Sequence, residues 1–487
     1  MPEVAQGVPI SRLFESADTA LRVGEWGKAR EGYEAILAMA PGDGDARAGL
    51  DFVDYLERGG RKSKFYIPID PIPEETFRAR LANKDLNVAE SRAGAVRLES
   101  RPTTCHIEHT TRCNFYCPHC SKGYEPYPAV DLPADLVDRA LDALLPTILT
   151  ANLTGFGEPT IGSRYARIMK RLTEGGVQPQ FNTNTSTLTL PHIELLVRSR
   201  AQVSLSIDGA TKETFETIRA GGNWEHLMQV LHWIKRLRAV YRTPCWFGIT
   251  FVAMRMNIHE LPDMVRLAHR FDIDQLLVQD FFPIGKEFDD QSLRSEPERA
   301  NRFFDEAEET AKDLGQELIL PPRYEVGGSS PTVSGWKKFL ATKGLLPKPN
   351  RFPQGCDHPW KDFRVKFDGE ITPCCHSSRP LGDLRKQTFE EIWNGRRYRF
   401  FRWRIKTAVP PMECRTCHVF EGINRGNPGN TMLQEGKLLK VLYKLETLLD
   451  RLVKRYRTRK KPAVTRTYFR GKYWKPNEGS EKSPERT

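Results

Sequence analysis

The rhythm of apolar positions changes several times along the chain. Over residues 11–58 apolar and small residues recur at helical spacing, and Pro41-Gly42-Asp43-Gly44 cuts the run into two pieces. Residues 59–101 are polar and bear several prolines, which predicts a linker with one short helix. From Thr103 the pattern alternates. Runs of strand character at 104–109, 148–154, 179–184, 201–207, 246–253 and 275–281 are separated by helical patterns at 133–146, 163–175, 191–199, 211–238 and 259–271. Six β–α units in series predict a parallel sheet, either doubly wound or an open barrel. Both architectures put chemistry at the C-terminal ends of the strands. Residues 285–350 read as charged helix and loop. Asp368-Gly369, between two short apolar alternations, signals a hairpin. Near the end, Leu438, Leu442, Leu445, Leu449, Leu452 and Tyr456 step by 4-3-4-3-4, an amphipathic helix with a basic opposite face. A basic segment, 459–487, reads as disordered.

Composition narrows the classes. No apolar run approaches the length of about 18 residues that a spanning helix needs. The start, MPEVAQGVPISRLFESAD, lacks the basic and apolar regions of a secretory signal, so a cytoplasmic protein is expected. The formal net charge is +12, but Gly436–Thr487 holds 16 Lys or Arg against 5 Asp or Glu, +11 of that total. Basic character therefore belongs to the tail. Its helix suits packing against another helix, contact with an anionic inner membrane surface, or nucleic acid, and the regular step favours packing. Tyr468, Phe469, Tyr473 and Trp474 stand among its Arg and Lys.

Ten cysteines in a reducing compartment read as metal ligands or catalytic thiols. Cys113-x-x-x-Cys117-x-x-Cys120 sits directly after the first strand. Three thiolates can face one point, yet closed zinc and iron–sulfur sites take four protein ligands, and an open position is a reactive one. A zinc knuckle completed by Cys105, His106, His109 or His119 is the alternative.

This spacing, on a loop after the first strand of a β–α series, resembles the radical S-adenosylmethionine (radical SAM) enzymes. The resemblance implies that Cys113, Cys117 and Cys120 hold three irons of a [4Fe–4S] cluster. The fourth iron would be chelated by the amino and carboxylate groups of S-adenosylmethionine. Reductive cleavage of that cofactor would yield a 5′-deoxyadenosyl radical, with an electron donor such as flavodoxin or ferredoxin. Leu153-Thr154-Gly155-Phe156-Gly157-Glu158-Pro159 after the second strand is similar to the family's Gly-Gly-Glu element, with Phe156 replacing one glycine. Asn182-Thr183-Asn184 ends the third strand and Ser206-Ile207-Asp208-Gly209 the fourth, with Arg219 beyond. The implied cofactor-binding residues are Gly157, Glu158, Asn184, Ser206, Asp208 and Arg219, the last offered to the cofactor carboxylate. Asn257 and Glu260 are similarly placed after strand five, where a capped helix start explains them equally well.

A second cysteine group comprises Cys356, Cys374, Cys375, Cys414 and Cys417. Four thiolates suit a zinc ribbon as well as an iron–sulfur cluster. The surrounding Asp368-Gly369, Pro373-Cys374-Cys375, Leu381-Gly382-Asp383-Leu384 and Glu391-Ile392-Trp393-Asn394 resemble the SPASM or shorter twitch domain of radical enzymes. That resemblance implies one auxiliary [4Fe–4S] cluster on Cys356, Cys374, Cys414 and Cys417, leaving Cys375 spare. Cys105 and Cys245 read as buried strand residues. Asp368, His358 and His376 are candidate proton acceptors, with hairpin or supporting roles as the plainer reading.

Gly24, Trp26, Ala29, Tyr33 and Pro41 fall where a tetratricopeptide unit places its turn glycine, aromatics, small residue and proline. One such unit plus a following helix must lean on another domain or dock a partner. The expected architecture is thus α/β: a tetratricopeptide-like segment (1–60), a linker (61–100), a partial (β/α)6 radical SAM barrel (101–320), a small α+β auxiliary-cluster domain (321–425), and a basic helix and tail (426–487). The expected function is radical hydrogen abstraction leading to oxidation or modification of a small molecule or peptide. Maturation of a precursor peptide docked by the N-terminal helices, RNA modification suggested by the tail, and a zinc-binding scaffold are the alternatives.

Overall fold

The computed structural model describes residues 8–120, 122, 128–281, 288–324, 326, 356–406 and 411–415. Cys417, the 438–456 helix and the 459–487 segment lie outside them.

Three helices open the chain: α1 (Ile10–Val23), α2 (Trp26–Met39) and α3 (Gly44–Glu57). The break at Pro41–Gly44 falls as the sequence predicts. A second break at Gly24, left-handed at φ 83°, ends α1 at the position read as a turn glycine, giving a helix pair plus a following helix. The trio leans on α9 (Trp224–Tyr241). Arg236 of α9 donates to the buried Asp18 at 2.7 Å, and the Tyr33 hydroxyl donates to the same carboxylate at 2.6 Å. His232 pairs with Asp45 at 2.6 Å, and the Trp233 indole donates to Asp51 at 2.9 Å. The three helices are thus closed by a helix of the β/α series.

The expected linker instead carries a 20-residue helix, α4 (Glu74–Ala93). Its hold on the rest is polar. Arg80 donates to the carbonyls of Leu145 and Gly175 at 2.6 and 2.8 Å, and Asn87 donates to that of Trp360 at 2.6 Å. No apolar stripe is needed, so hydrophobic periodicity did not reveal it.

The remaining strands are β1 (Thr104–Ile107), β2 (Thr150–Asn152), β3 (Gln178–Thr183), β4 (Gln202–Ser206), β5 (Trp246–Ala253), β6 (Gln275–Asp280), β7 (Leu318–Ile319), β8 (Asp362–Val365), β9 (Glu370–Thr372) and β10 (Gly382–Asp383). Helices α5 (Ala134–Leu144), α6 (Tyr165–Glu174), α7 (Leu190–Arg198), α8 (Lys212–Ile218) and α10 (Leu261–Arg270) alternate with them, and α11 (Pro297–Leu314) precedes β7. The predicted 211–238 helix is broken into α8 and α9 around Gly221 and Gly222, which puts Arg219 at the end of α8.

All ten strands form one sheet, ordered β10-β9-β8-β1-β2-β3-β4-β5-β6-β7. The late hairpin therefore does not stand apart: β8 runs parallel to β1, pairing Thr104 with Asp362 through Ile107 with Val365. Gly369 at φ 82° turns β8 into β9. Short helix α12 (His358–Lys361) precedes β8, and beyond the hairpin lie α13 (Phe389–Trp393), α14 (Arg396–Ile405) and α15 (Met412–Arg415).

The two sheet faces differ. Ala151, Phe181, Val203, Leu205, Phe247, Ile249 and Phe251 are buried on one side. On the other, register sets Asn152 beside Gln180 and Gln180 beside Gln202, then Asn182 beside Ser204 and Ser206 beside Thr250. Asn182 is exposed, and Asn152, Gln180, Gln202, Ser204 and Ser206 are half-buried. Parallel sheets are ordinarily covered with apolar residues on both faces. Here amides and hydroxyls from Asn152 to Ser206, flanked by His106 and Arg364, make a partly exposed face.

Candidate active site

The loop after β1 crosses the C-terminal edge of the sheet. Cys113, Cys117 and Cys120 lie on it, each partly buried, with the Cys120 amide donating to the Cys117 carbonyl at 3.0 Å. Burial pushes the Cys113 thiol up, and pushes Cys117 up to about 12, with neighbouring thiols adding to both. Among the described residues, no three His, Cys, Asp or Glu side chains close into a cage for a single metal ion.

Two donors from outside the loop reach its sulfurs. Asn184 Nδ2 is 3.9 Å from Cys113 Sγ and 3.1 Å from Asn114 Oδ1. Arg219 Nη1 is 3.9 Å from Cys117 Sγ, and its Nε stands 2.6 Å from Asp208 Oδ2. Burial opposes charge on Arg219, but Asp208 and Cys117 outweigh it and keep the guanidinium protonated. Asp208 is wholly buried; its Oδ1 accepts the Val252 amide at 2.7 Å, and His119 Nε2 lies 3.5 Å from Oδ2. Burial drives His119 down to about 4, so it is neutral at ordinary pH.

Glu158 is only 3 % exposed, and its carboxylate is fully engaged. It accepts from Thr160 N and Oγ1 at 3.2 and 2.6 Å, Thr183 Oγ1 at 2.7 Å and Asn184 N at 2.7 Å. Burial raises its pKa against the pull of these bonds. Glu158 thereby fastens the 155–159 turn to the end of β3 and aims Asn184. A Cβ on Gly157 would meet the backbone of Thr110–Arg112, and the Glu158 amide donates to the Arg112 carbonyl at 2.7 Å. The turn and the cysteine loop touch through backbone. Ser206 stands at the end of β4, on the open face. Asn257 donates to the Asp208 carbonyl at 3.0 Å, and Glu260 accepts from Ala210 N and Thr211 Oγ1 at 2.6 and 2.7 Å. Both brace the loop that carries Asp208.

At the other edge of β1, Cys374 follows β9 by two residues. Burial pushes its thiol up to about 12, with Cys375 and Cys356 adding. Cys356 is partly buried, Cys414 buried and Cys375 exposed. Cys105 and Cys245 are buried, Cys105 on β1 and Cys245 just before β5. Of the candidate proton acceptors, His358 pairs with Asp362, and burial lowers the His376 pKa. Asp368 accepts the Glu370 amide at 3.1 Å within the hairpin turn.

Sequence reasoning missed one pair. Glu108, buried at the end of β1, accepts the Phe156 amide at 3.0 Å, and Arg364 Nη2 of β8 stands 3.6 Å from its other oxygen. Arg364 also reaches Thr372 Oγ1 at 3.4 Å and the Cys374 carbonyl at 3.5 Å. The signal was a charged residue between the apolar Phe363 and Val365 of a buried strand.

Residues 107–268 match the Radical SAM superfamily model, and residues 356–418 match SPASM, an iron–sulfur cluster-binding domain. The chain carries a radical SAM domain followed by a SPASM domain. These two domains imply a SAM-binding [4Fe–4S] cluster and auxiliary iron–sulfur coordination. The donor chemistry fits: three thiols on one loop, a charged Arg219, and five cysteines in the second segment.

Among relatives of this radical SAM protein is the tungsten-containing aldehyde ferredoxin oxidoreductase cofactor-modifying protein of Pyrococcus furiosus, 22% identical over 64% of this chain and 86% of that one. The AdoMet-dependent heme synthase of Nitratidesulfovibrio vulgaris is 24% identical over 61% of this chain and 80% of its own. The PqqA peptide cyclase of Rhodopseudomonas palustris is 28% identical over 36% and 46%. Among solved structures, Streptococcus suis SuiB bound to S-adenosylmethionine aligns with TM-score 0.46 and 16% identity over 81% of this chain and 87% of that one.

Proposed function

We propose that this radical SAM enzyme modifies a polar, hydrogen-bonding substrate, a peptide first among the candidates, laid on the open sheet face. The observation that carries the reading is that face itself. A floor of Asn152, Gln180, Asn182, Ser204 and Ser206 ends at the loop of Cys113, Cys117 and Cys120. Side-chain amides and hydroxyls match the donors and acceptors of a peptide backbone and offer little to a large apolar ligand. The similarity to a peptide cyclase over part of the chain points the same way.

In this reading Cys113, Cys117 and Cys120 hold the SAM-binding cluster, and Cys356, Cys374, Cys414 and Cys417 hold the auxiliary one. When bound, cluster and SAM together supply a 5′-deoxyadenosyl radical that takes a hydrogen from the substrate. The chain's own contribution is placement. Arg219 offers its charge to the cofactor carboxylate, Asp208 fixes Arg219, and Glu158 fixes Asn184. Gly157 lets the turn approach the cysteine loop, and Ser206 lines the floor. The buried contacts of α1–α3 with α9 support a structural role for those helices before a docking one. Reduction by a flavodoxin or ferredoxin would start the cycle. A small-molecule oxidation is the second reading, favoured by the auxiliary cysteines as an electron acceptor.

The test is anaerobic reconstitution, reduction, and measurement of 5′-deoxyadenosine release with a peptide library and a small-molecule library in parallel. Peptide-dependent release with a mass loss in the peptide supports the proposal. Release that responds only to small molecules overturns the peptide reading. A colourless, zinc-loaded protein overturns the enzyme.

A further inference from the structure

Helix α14, Arg396-Arg-Tyr-Arg-Phe-Phe-Arg-Trp-Arg-Ile405, has two unlike faces and no acidic residue. Tyr398, Phe401, Arg402, Arg404 and Ile405 are buried. Arg402 pins the helix: its Nε donates to the Pro359 carbonyl at 2.9 Å and its Nη1 to that of Trp393 at 2.9 Å. The helix cannot roll, so its opposite face is a fixed display. Arg396, Arg399, Phe400 and Trp403 lie there within about 100° of arc at 100° per residue, with Arg397 at the flank. All five are exposed, Phe400 by 46 % and Trp403 by 41 %. The two rings contact each other at 5.6 Å between centroids. The neighbouring acidic residues are engaged elsewhere, Glu390 with Arg101 and Glu391 in the cap of α13.

We propose that this face lies on an anionic membrane surface, with Phe400 and Trp403 entering the headgroup layer and Arg396, Arg397 and Arg399 meeting lipid phosphates. A rigid helix presenting aromatic side chains between arginines has the composition of an interfacial helix. One such contact is marginal alone, and stable association takes a second signal. The chain supplies one downstream: Gly436–Thr487, with 16 basic against 5 acidic residues and the aromatics Tyr468, Phe469, Tyr473 and Trp474. Bilayer contact accounts for an exposed aromatic pair and for unopposed charge at once. A nucleic acid would account for the charge but takes up aromatic rings by stacking on splayed bases, which a pair already in mutual contact serves less well.

The experiment is flotation of the full chain with vesicles of phosphatidylcholine alone and of two parts phosphatidylcholine to one part phosphatidylglycerol. Binding to the anionic vesicles only is expected. The R396Q/R397Q/R399Q variant should lose on the order of a hundredfold in affinity and F400S/W403S about tenfold, with iron content and circular dichroism unchanged. Because all five side chains are exposed, these variants keep the fold. Unaltered vesicle binding in both variants overturns the proposal, as does loss of affinity for an RNA oligonucleotide with none for vesicles. Protection of 396–405 from hydrogen exchange without vesicles, lost on truncation at Gly436, would mean that the tail covers this face and would likewise overturn it.

Discussion

Arg219 touches two partners at once, the buried Asp208 Oδ2 at 2.6 Å through Nε and the partly buried Cys117 Sγ at 3.9 Å through Nη1. A single guanidinium thus ties the end of β4 to the cysteine loop. Replacing it with glutamine strands the Asp208 charge in a dry site, which should cost about 3–5 kcal/mol of stability. Arg219→Lys should recover much of the stability but not the two-pronged geometry. Chemical denaturation of both variants, beside SAM binding by calorimetry, checks this. Equal stability of Arg219→Gln and wild type would refute it.

Iron should divide between two loops. Anaerobically reconstituted wild type should hold about eight irons, and either the Cys113/Cys117/Cys120→Ala or the Cys356/Cys374/Cys414→Ala variant about four. Iron and acid-labile sulfide assays decide. Loss of all iron from the first variant would mean that the second cysteine group holds none.

The open sheet face should act on the substrate and not on the cofactor. Asn182→Leu and Ser204→Val each remove hydrogen-bonding groups from the floor, worth about 1 kcal/mol apiece. Product formation should fall about fivefold in each while SAM cleavage continues, raising the ratio of 5′-deoxyadenosine to product. An unchanged ratio would take the substrate off this face.

Acidity should tune the second segment. The hydrogen bond from His358 to Asp362 raises the histidine pKa above its ordinary value of 6.5. A raised folded pKa gives stability that is complete below about 6.5 and is lost as pH rises through the raised value. The iron-free chain should therefore lose up to about 1 kcal/mol between pH 6 and pH 9, and His358→Gln should flatten that slope. Thermal unfolding across the range measures it.

The parallel series was legible because strands buried on one face and helices with an apolar stripe both leave a period in the sequence. Strands predicted at 179–184 and 246–253 appear as Gln178–Thr183 and Trp246–Ala253. The cysteine loop was legible from spacing alone. What escaped had no apolar period. Helix α4 is fixed by Arg80 and Asn87 on backbone carbonyls, and β7 is two residues long. The Glu108–Arg364 contact joins residues 256 positions apart, and only strand pairing brings them together. Spacing likewise pointed to Glu158 but not to its four hydrogen bonds, two of which, from Thr183 and Asn184, need the ends of β2 and β3 to meet.

The pairing of β8 with β1 has a mechanical meaning. Cys113 and Cys374 each follow a strand within a few residues, and those strands are linked directly or through one hairpin rung. The separation of those strands is gauged by a backbone ladder. Were clusters held at these cysteines, the ladder would fix the spacing of the strands that lead to them when the chain folds. Any gating of the reaction must come from the loops above the sheet.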